Sequence, residues 1–349
     1  MYVKEYALYE SSMDDTLKVN NRTIKEQEII VQGIEYLHVA LTPEAFPPPK
    51  ILGHLLRRLV WQETHFPIIH SRALTLVYRV LDFHPPSCTQ TRSLYLSTLK
   101  YAGSTEEQDA FSSWSFIKEV ICSALDMDDD QDDSSSESSG GDEMIYKSMN
   151  SVRLLDFIQS LLQEDLRHWD NRVESMKHLM CVRIFWGERD RSLNCTSQAL
   201  KVSPQINRLL RLWVKSCQAP PHIRELIARL VGMVLNLMWR CSDTPLVPVS
   251  PLPESFLPLA RELLIRVREV SSSPGVSGGF DLLRLIQGLT DQWQRTIVLT
   301  ILFKSVTASS NIKFKLADLL DYVKLVSQEA EEKMQEKPES SSKRTSKSK

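Results

Sequence analysis

Apolar residues recur at intervals of three and four along most of this chain, and prolines cut the recurrence into separate rods. The stretch from Ile34 to Pro86 shows the grammar most clearly, with corners at Thr42-Pro43, Pro47-Pro48-Pro49 and Pro85-Pro86. A proline early in a segment supplies the fixed φ that starts a helix, and one beyond it lacks the N–H that would continue it. Thr23-x-x-Glu26 reads as a capping box ahead of Ile30, Ile34, Leu37 and Leu41. The next helix is expected from Pro48 or Pro49 to Trp61, the following one from Pro67 to Phe83. Shorter helices are expected near Gln90 to Tyr101 and from Trp114 to Leu125, the latter capped by Ser112 or Ser113. Before about Asn20, Tyr2, Tyr6 and Tyr9 fit either one helix face or an extended arm.

The strongest periodicity follows. Leu155, Ile158, Leu162, Leu166, Trp169, Val173, Met176, Met180 and Ile184 step by three or four with no Gly or Pro before Gly187. This predicts one straight helix from Asn150 to Trp186, on the order of 55 Å long. A coiled coil would average 3.5 residues per step, so the stripe predicts packing within a helical stack. Ser203-Pro204 then opens a helix carrying Ile206, Leu209, Leu210, Trp213 and Cys217, and Pro221 to Cys241 forms another. Beyond a linker containing Pro245, Pro248, Pro251 and Pro253, helices are expected over Glu254–Val270, Phe280–Leu289, Asp291–Thr307 and Ile312–Gln335.

Composition narrows the class to all-α. Glycine is scarce, 11 in 349 residues, which leaves little material for tight β-turns or phosphate-cradling loops. No repeat of fixed length recurs, so the expected architecture is an irregular α-solenoid or stacked-helix scaffold with one long central helix. Residues 1–22 are expected to be an N-terminal arm, helical or extended, 23–336 a single helical scaffold domain, and 337–349 a disordered basic tail. The stretch from Asp126 to Glu143 holds nine acids and no base, leaving 35 acids against 42 bases elsewhere. With almost nothing apolar to bury, 126–147 is expected to be a disordered acidic loop inside the domain.

The search for chemistry returns little. There is no phosphate-loop, dinucleotide, zinc-protease or nucleophile-elbow motif, and the eight histidines include no i, i+4 pair. The six cysteines lie far apart without C-x-x-C spacing, as expected of reduced, buried thiols. No enzyme activity, metal, cofactor or small-molecule substrate is expected. No apolar run reaches the length of a bilayer span, and Met1-Tyr2-Val3-Lys4-Glu5 lacks the features of a secretory signal, so a cytosolic or nuclear protein without membrane association is expected. Ser134 and Ser139, each followed three residues later by an acid, are candidate phosphorylation sites. Arg208, Arg211 and Lys215 share a helix face opposite Trp213 and are the candidate DNA contacts; Arg57-Arg58 and Arg261 with Arg268 are further basic clusters. Glu28-Ile29-Ile30-Val31 has the composition of a SUMO-binding core but lies within a helical stripe, where core packing is expected instead.

The stretch LTPEAFPPPKILGHLLRRLVW, Leu41 to Trp61, resembles the C-terminal helical region of the vertebrate SUMO-interacting motifs-containing protein family. The resemblance continues through Leu81-Asp82-Phe83-His84-Pro85, Trp114, the Arg153 to Asp165 helix and the Asn207 to Lys215 helix, covering about Thr23 to Val326. It implies a scaffold like non-SMC element five that pairs, as a heterodimer, with the SMC-complex localisation factor, itself a helical protein. The pair would bring the SMC five–six complex to DNA damage or viral replication centres in the nucleus. The family's SUMO-interacting motifs lie in a disordered N-terminal region that this chain lacks, so direct SUMO binding is not expected. The family has no catalytic residues to carry over.

Overall fold

Prolines open the rods where the sequence places them. The computed structural model describes residues 24–62, 66–103, 112–126, 141–169, 176–187, 202–240, 257–271 and 282–299. Among these the fold is all-α: about 82% of the residues are helical and no strand forms. Helix α1 spans Ile24–Ala40, α2 Pro49–His54, α3 Pro67–Phe83, α4 Thr89–Gly103 and α5 Ser113–Ala124. Then come α6 at Gly141–Arg167, α7 at Met180–Phe185, α8 at Pro204–Lys215, α9 at Pro221–Arg240, α10 at Leu257–Ser271 and α11 at Leu282–Gln287. A further helical stretch covers 292–299. Thr23, the linker 241–256, the tail 337–349 and the helix expected over 312–335 lie outside the described residues.

Ser203 caps α8 as expected, its Oγ accepting the Ile206 amide at 3.1 Å while donating to the Phe185 carbonyl. Ser112 holds the N-cap position of α5 in extended backbone without a side-chain cap bond, and Ser113 instead donates to the Leu96 carbonyl at 3.1 Å. Helices adjacent in sequence pack together, α4 on α5, α5 on α6 and α8 on α9. Helix α6 also touches α3, α7 and α9, so it lies at the centre of the core. Helix α2 crosses α4 closely because Gly53 has no Cβ: one built there would lie 2.7 Å from Tyr101 Cβ and 2.8 Å from the Thr98 carbonyl oxygen.

The rod expected from Pro49 to Trp61 changes its winding. After α2, Leu55–Trp61 forms a π-helix, closed by the Gln62 amide donating to the Arg57 carbonyl five residues back at 3.0 Å. Wound at about 100° per residue, Trp61 would fall between Arg57 and Arg58. The wider ladder turns each residue by roughly 80°, which gathers Leu55, Leu56, Leu59, Val60 and Trp61 into one arc of about 160°. All five are buried there. Trp61 Nε1 donates to Ser151 Oγ on α6 at 2.9 Å, and Ser151 Oγ donates to Ser123 Oγ at 2.8 Å. The Val60 carbonyl accepts from His70 Nδ1 at 2.7 Å, and burial holds this imidazole below its ordinary pKa.

The single long helix expected over Asn150–Trp186 is not formed. Helix α6 opens earlier, at Gly141, within the stretch 126–147 expected to be loop, and ends at Arg167. Residues 170–175 lie outside the described residues, and α7 begins at Met180. In one continuous helix Asp165 and Met180 would be about 22 Å apart. Instead Asp165 Oδ2 accepts the Met180 amide at 2.7 Å and the Cys181 amide at 3.4 Å, so the chain has turned back on itself. The first turn of α7 has amides without intrahelical partners, and Asp165 satisfies two of them. Its Oδ1 accepts from Arg92 Nε of α4 at 2.6 Å. The periodic residues keep their burial across the corner: Leu155, Ile158, Leu162, Met176, Met180 and Ile184 all lie in the core.

Burial pushes the Asp165 carboxyl above its ordinary pKa, while Arg92 and the two amides pull it back. Asp165→Ala is expected to cost about 3–5 kcal/mol, because it strands the buried Arg92 charge and uncaps α7. Urea unfolding measures this, and a loss below about 1 kcal/mol would contradict the role given to the carboxylate.

Candidate functional site

Three helices leave a groove between them. Leu74 and Tyr78 come from α3, Val152, Arg153 and Asp156 from α6, and His222, Glu225, Leu226 and Arg229 from α9. The groove encloses about 460 Å³ and opens broadly to solvent. Its residues reach it by simple periodicity. On α9, His222, Glu225 and Arg229 step by three and four along the edge of the face that buries Ile223, Ile227 and Leu230. On α6, Arg153 and Asp156 step by three on the side opposite Leu154, Leu155 and Ile158.

The floor is apolar and the rim is charged. Leu226 is buried and Leu74 and Val152 half-buried, whereas Arg153, Asp156, His222 and Glu225 are exposed. Tyr78 bridges the two zones: its ring packs edge-on to Phe157 at 5.4 Å between centroids, and its hydroxyl donates to Asp156 Oδ2 at 2.9 Å. Burial, reinforced by the Asp156 carboxylate, pushes the Tyr78 phenol up to about 12. Among the described residues, Arg153, Glu225 and Arg229 make no ion pair within 4.0 Å. Two guanidinium groups and one carboxylate therefore stand at the rim without an ion-pair partner among the described residues.

The basic residues singled out in the sequence divide. Arg208 and Arg211 are exposed and Lys215 half-buried on α8, opposite the fully buried Trp213, so the expected face exists. Arg211 and Lys215 already interact within the chain. Arg57 does not belong to a basic surface: its Nη1 donates to the Ala102 carbonyl at 2.7 Å and pairs with Glu119 at 3.4 Å, and its guanidinium lies over Trp61. Arg58 is exposed and donates to Gln62 Oε1 at 3.2 Å. The Arg268 side chain lies outside the described residues, as do Ser134 and Ser139. Ile29, Ile30 and Val31 sit on helix α1, with Ile30 buried, so they are not an extended strand.

Cys122, Cys181 and Cys217 are buried thiols and Cys88 an exposed one; Cys195 and Cys241 lie outside the described residues. Among the described residues no group of three or more His, Cys, Asp or Glu is placed to hold a metal ion. No helix among them is long and apolar enough to cross a membrane.

The groove was not legible in the sequence, because Tyr78, Asp156 and Arg229 lie far apart along the chain. The only local sign was charge at the margin of the apolar stripes on α6 and α9. No family model, curated protein or solved structure matches this chain.

Between pH 10 and 12 an unfolded chain releases the tyrosine proton while folded Tyr78 retains it, so stability falls as pH rises through that window. Tyr78→Phe removes this part of the dependence. Urea midpoints at pH 9 and 11 should therefore fall further in the unmodified chain than in the variant; equal falls would place Tyr78 in an ordinary environment.

Proposed function

We propose that this chain is a non-catalytic stacked-helix scaffold in the nucleus that pairs with an SMC-complex localisation factor and so recruits the SMC five–six complex to DNA damage or viral replication sites. The observation that carries this reading is the groove between α3, α6 and α9. An apolar floor with a charged rim of both signs suits an amphipathic helix, whose apolar stripe fills the floor while its flanking charges meet Arg153, Arg229 and Glu225. The pathway rests on the resemblance carried by Leu41 to Trp61 and the segments after it.

Co-expression with the localisation factor tests the reading. The chain is expected to co-purify with it at one to one and to unfold at a higher temperature in the complex. Arg153→Glu with Arg229→Glu is expected to weaken the complex by roughly tenfold or more without lowering the midpoint of the free chain. A chain that elutes as a monomer and gains no stability from the factor would sink the proposal.

A second reading, DNA binding, is favoured by the outward cations of α8. It requires duplex binding that weakens steeply with salt and with Arg208→Glu, Arg211→Glu and Lys215→Glu together. Fluorescence anisotropy of a labelled duplex decides it, and absent or salt-insensitive binding eliminates it.

A further inference from the structure

One imidazole joins the last turn of the π-helix to the first turn of α3. A helix leaves the carbonyls of its final turn without intrahelical donors, and the Val60 carbonyl is one of these. His70 Nδ1 bonds to it at 2.7 Å, and because a carbonyl can only accept, Nδ1 carries the proton. The ring is 1% exposed, and its other nitrogen, Nε2, is buried with no hydrogen-bond partner among the described residues. A second proton on this ring would therefore be a buried N–H without an acceptor. The Val60 carbonyl favours a charged ring, but burial outweighs it. Two further features act with burial. The ring stands in the first turn of α3, which opens at Pro67, where the helix dipole is positive. Across the interface, Arg153 of α6 adds a positive charge. Other charged groups on the packed elements have partners of their own: Arg57 pairs with Glu119, Arg58 bonds to Gln62, Glu35 of α1 pairs with Arg72, and Asp156 of α6 accepts from Tyr78.

We infer that His70 is an acid-sensitive latch: the neutral ring fastens the end of the Leu55–Trp61 segment to α3, and its protonation releases one from the other. A ring freed by opening has the ordinary imidazole value of about 6.5 and charges as pH falls, whereas the closed ring stays neutral to a lower pH. The closed form binds fewer protons, so its stability is lost as pH falls below about 6.5. Between pH 7.5 and 5.5 opening is favoured by up to about tenfold, the limit reached when the closed ring takes up no proton. The latch does not depend on what the groove binds.

Hydrogen exchange read by mass spectrometry on the full chain, corrected for the intrinsic pH dependence of exchange, compares pH 7.5 with pH 5.5. Peptides covering Leu55–Trp61 and the first turns of α3 are expected to lose protection by up to about tenfold at the lower pH, while α8, which holds no histidine, keeps its own. His70→Gln has an amide that still donates to the Val60 carbonyl and cannot titrate, so it should abolish the loss. A loss spread evenly over the chain, no loss at all, or the same loss in His70→Gln would overturn the inference. A second readout uses the unmodified chain and so stands however well the variant folds. Nitrogen shifts of labelled histidines should show one ring among the eight in the Nδ1–H form that takes up its second proton below about pH 6.5. If all eight charge at or above that value, there is no latch.

Discussion

The carboxylate of Asp165 decides the shape of the core. It receives Arg92 from α4 and the first amides of α7 while standing on the last turns of α6, so one side chain ties three helices. Neither partner is exposed enough for water to replace the other: Arg92 is 5% and Asp165 0% exposed. A buried ion pair has a large desolvation cost, and the Met180 and Cys181 amides offset part of it by donating to the same carboxylate. What the arrangement provides is specificity of path, because only a chain that turns back after Arg167 brings the Met180 amide to the carboxylate.

The same economy governs the segment between α2 and α3. Five apolar residues and two arginines in seven positions cannot be sorted to opposite sides of an α-helix, and the π winding sorts them. Arg57 then turns inward to the Ala102 carbonyl and Glu119, while His70 takes up the Val60 carbonyl. A residue that reads as part of a basic cluster therefore serves the packing of the Leu55–Trp61 segment against α4 and α5.

With α6 held at the centre, the surfaces around it differ in kind. The groove beside α3 and α9 combines an apolar floor with charges of both signs, the α8 face presents cations, and the α1–α3 edge presents aliphatic and aromatic side chains. Among the described residues none of the three gathers metal ligands. The proposed partner-binding role rests on the first of these, the groove with its apolar floor and charged rim.

Helix identity was legible in the sequence, because it depends on local spacing and on proline and serine at the ends. Pro67–Phe83 came out at its predicted bounds, and Ser203 caps α8 as its position implied. The stripe from Leu155 to Ile184 correctly named core residues yet misplaced the backbone, since a periodicity of 3.6 says which side is buried but not whether the rod is continuous. Continuity was settled by a contact fifteen residues away, from Asp165 to Met180, and the π winding by the need to bury Trp61 against Ser151. The groove belongs to the same class: its residues are unremarkable polar positions on three separate helices until packing sets them side by side. Sequence by itself determined the all-α class and most of the core, because burial is periodic; only the tertiary structure decided the corners and the shared surfaces, because those depend on residues distant along the chain.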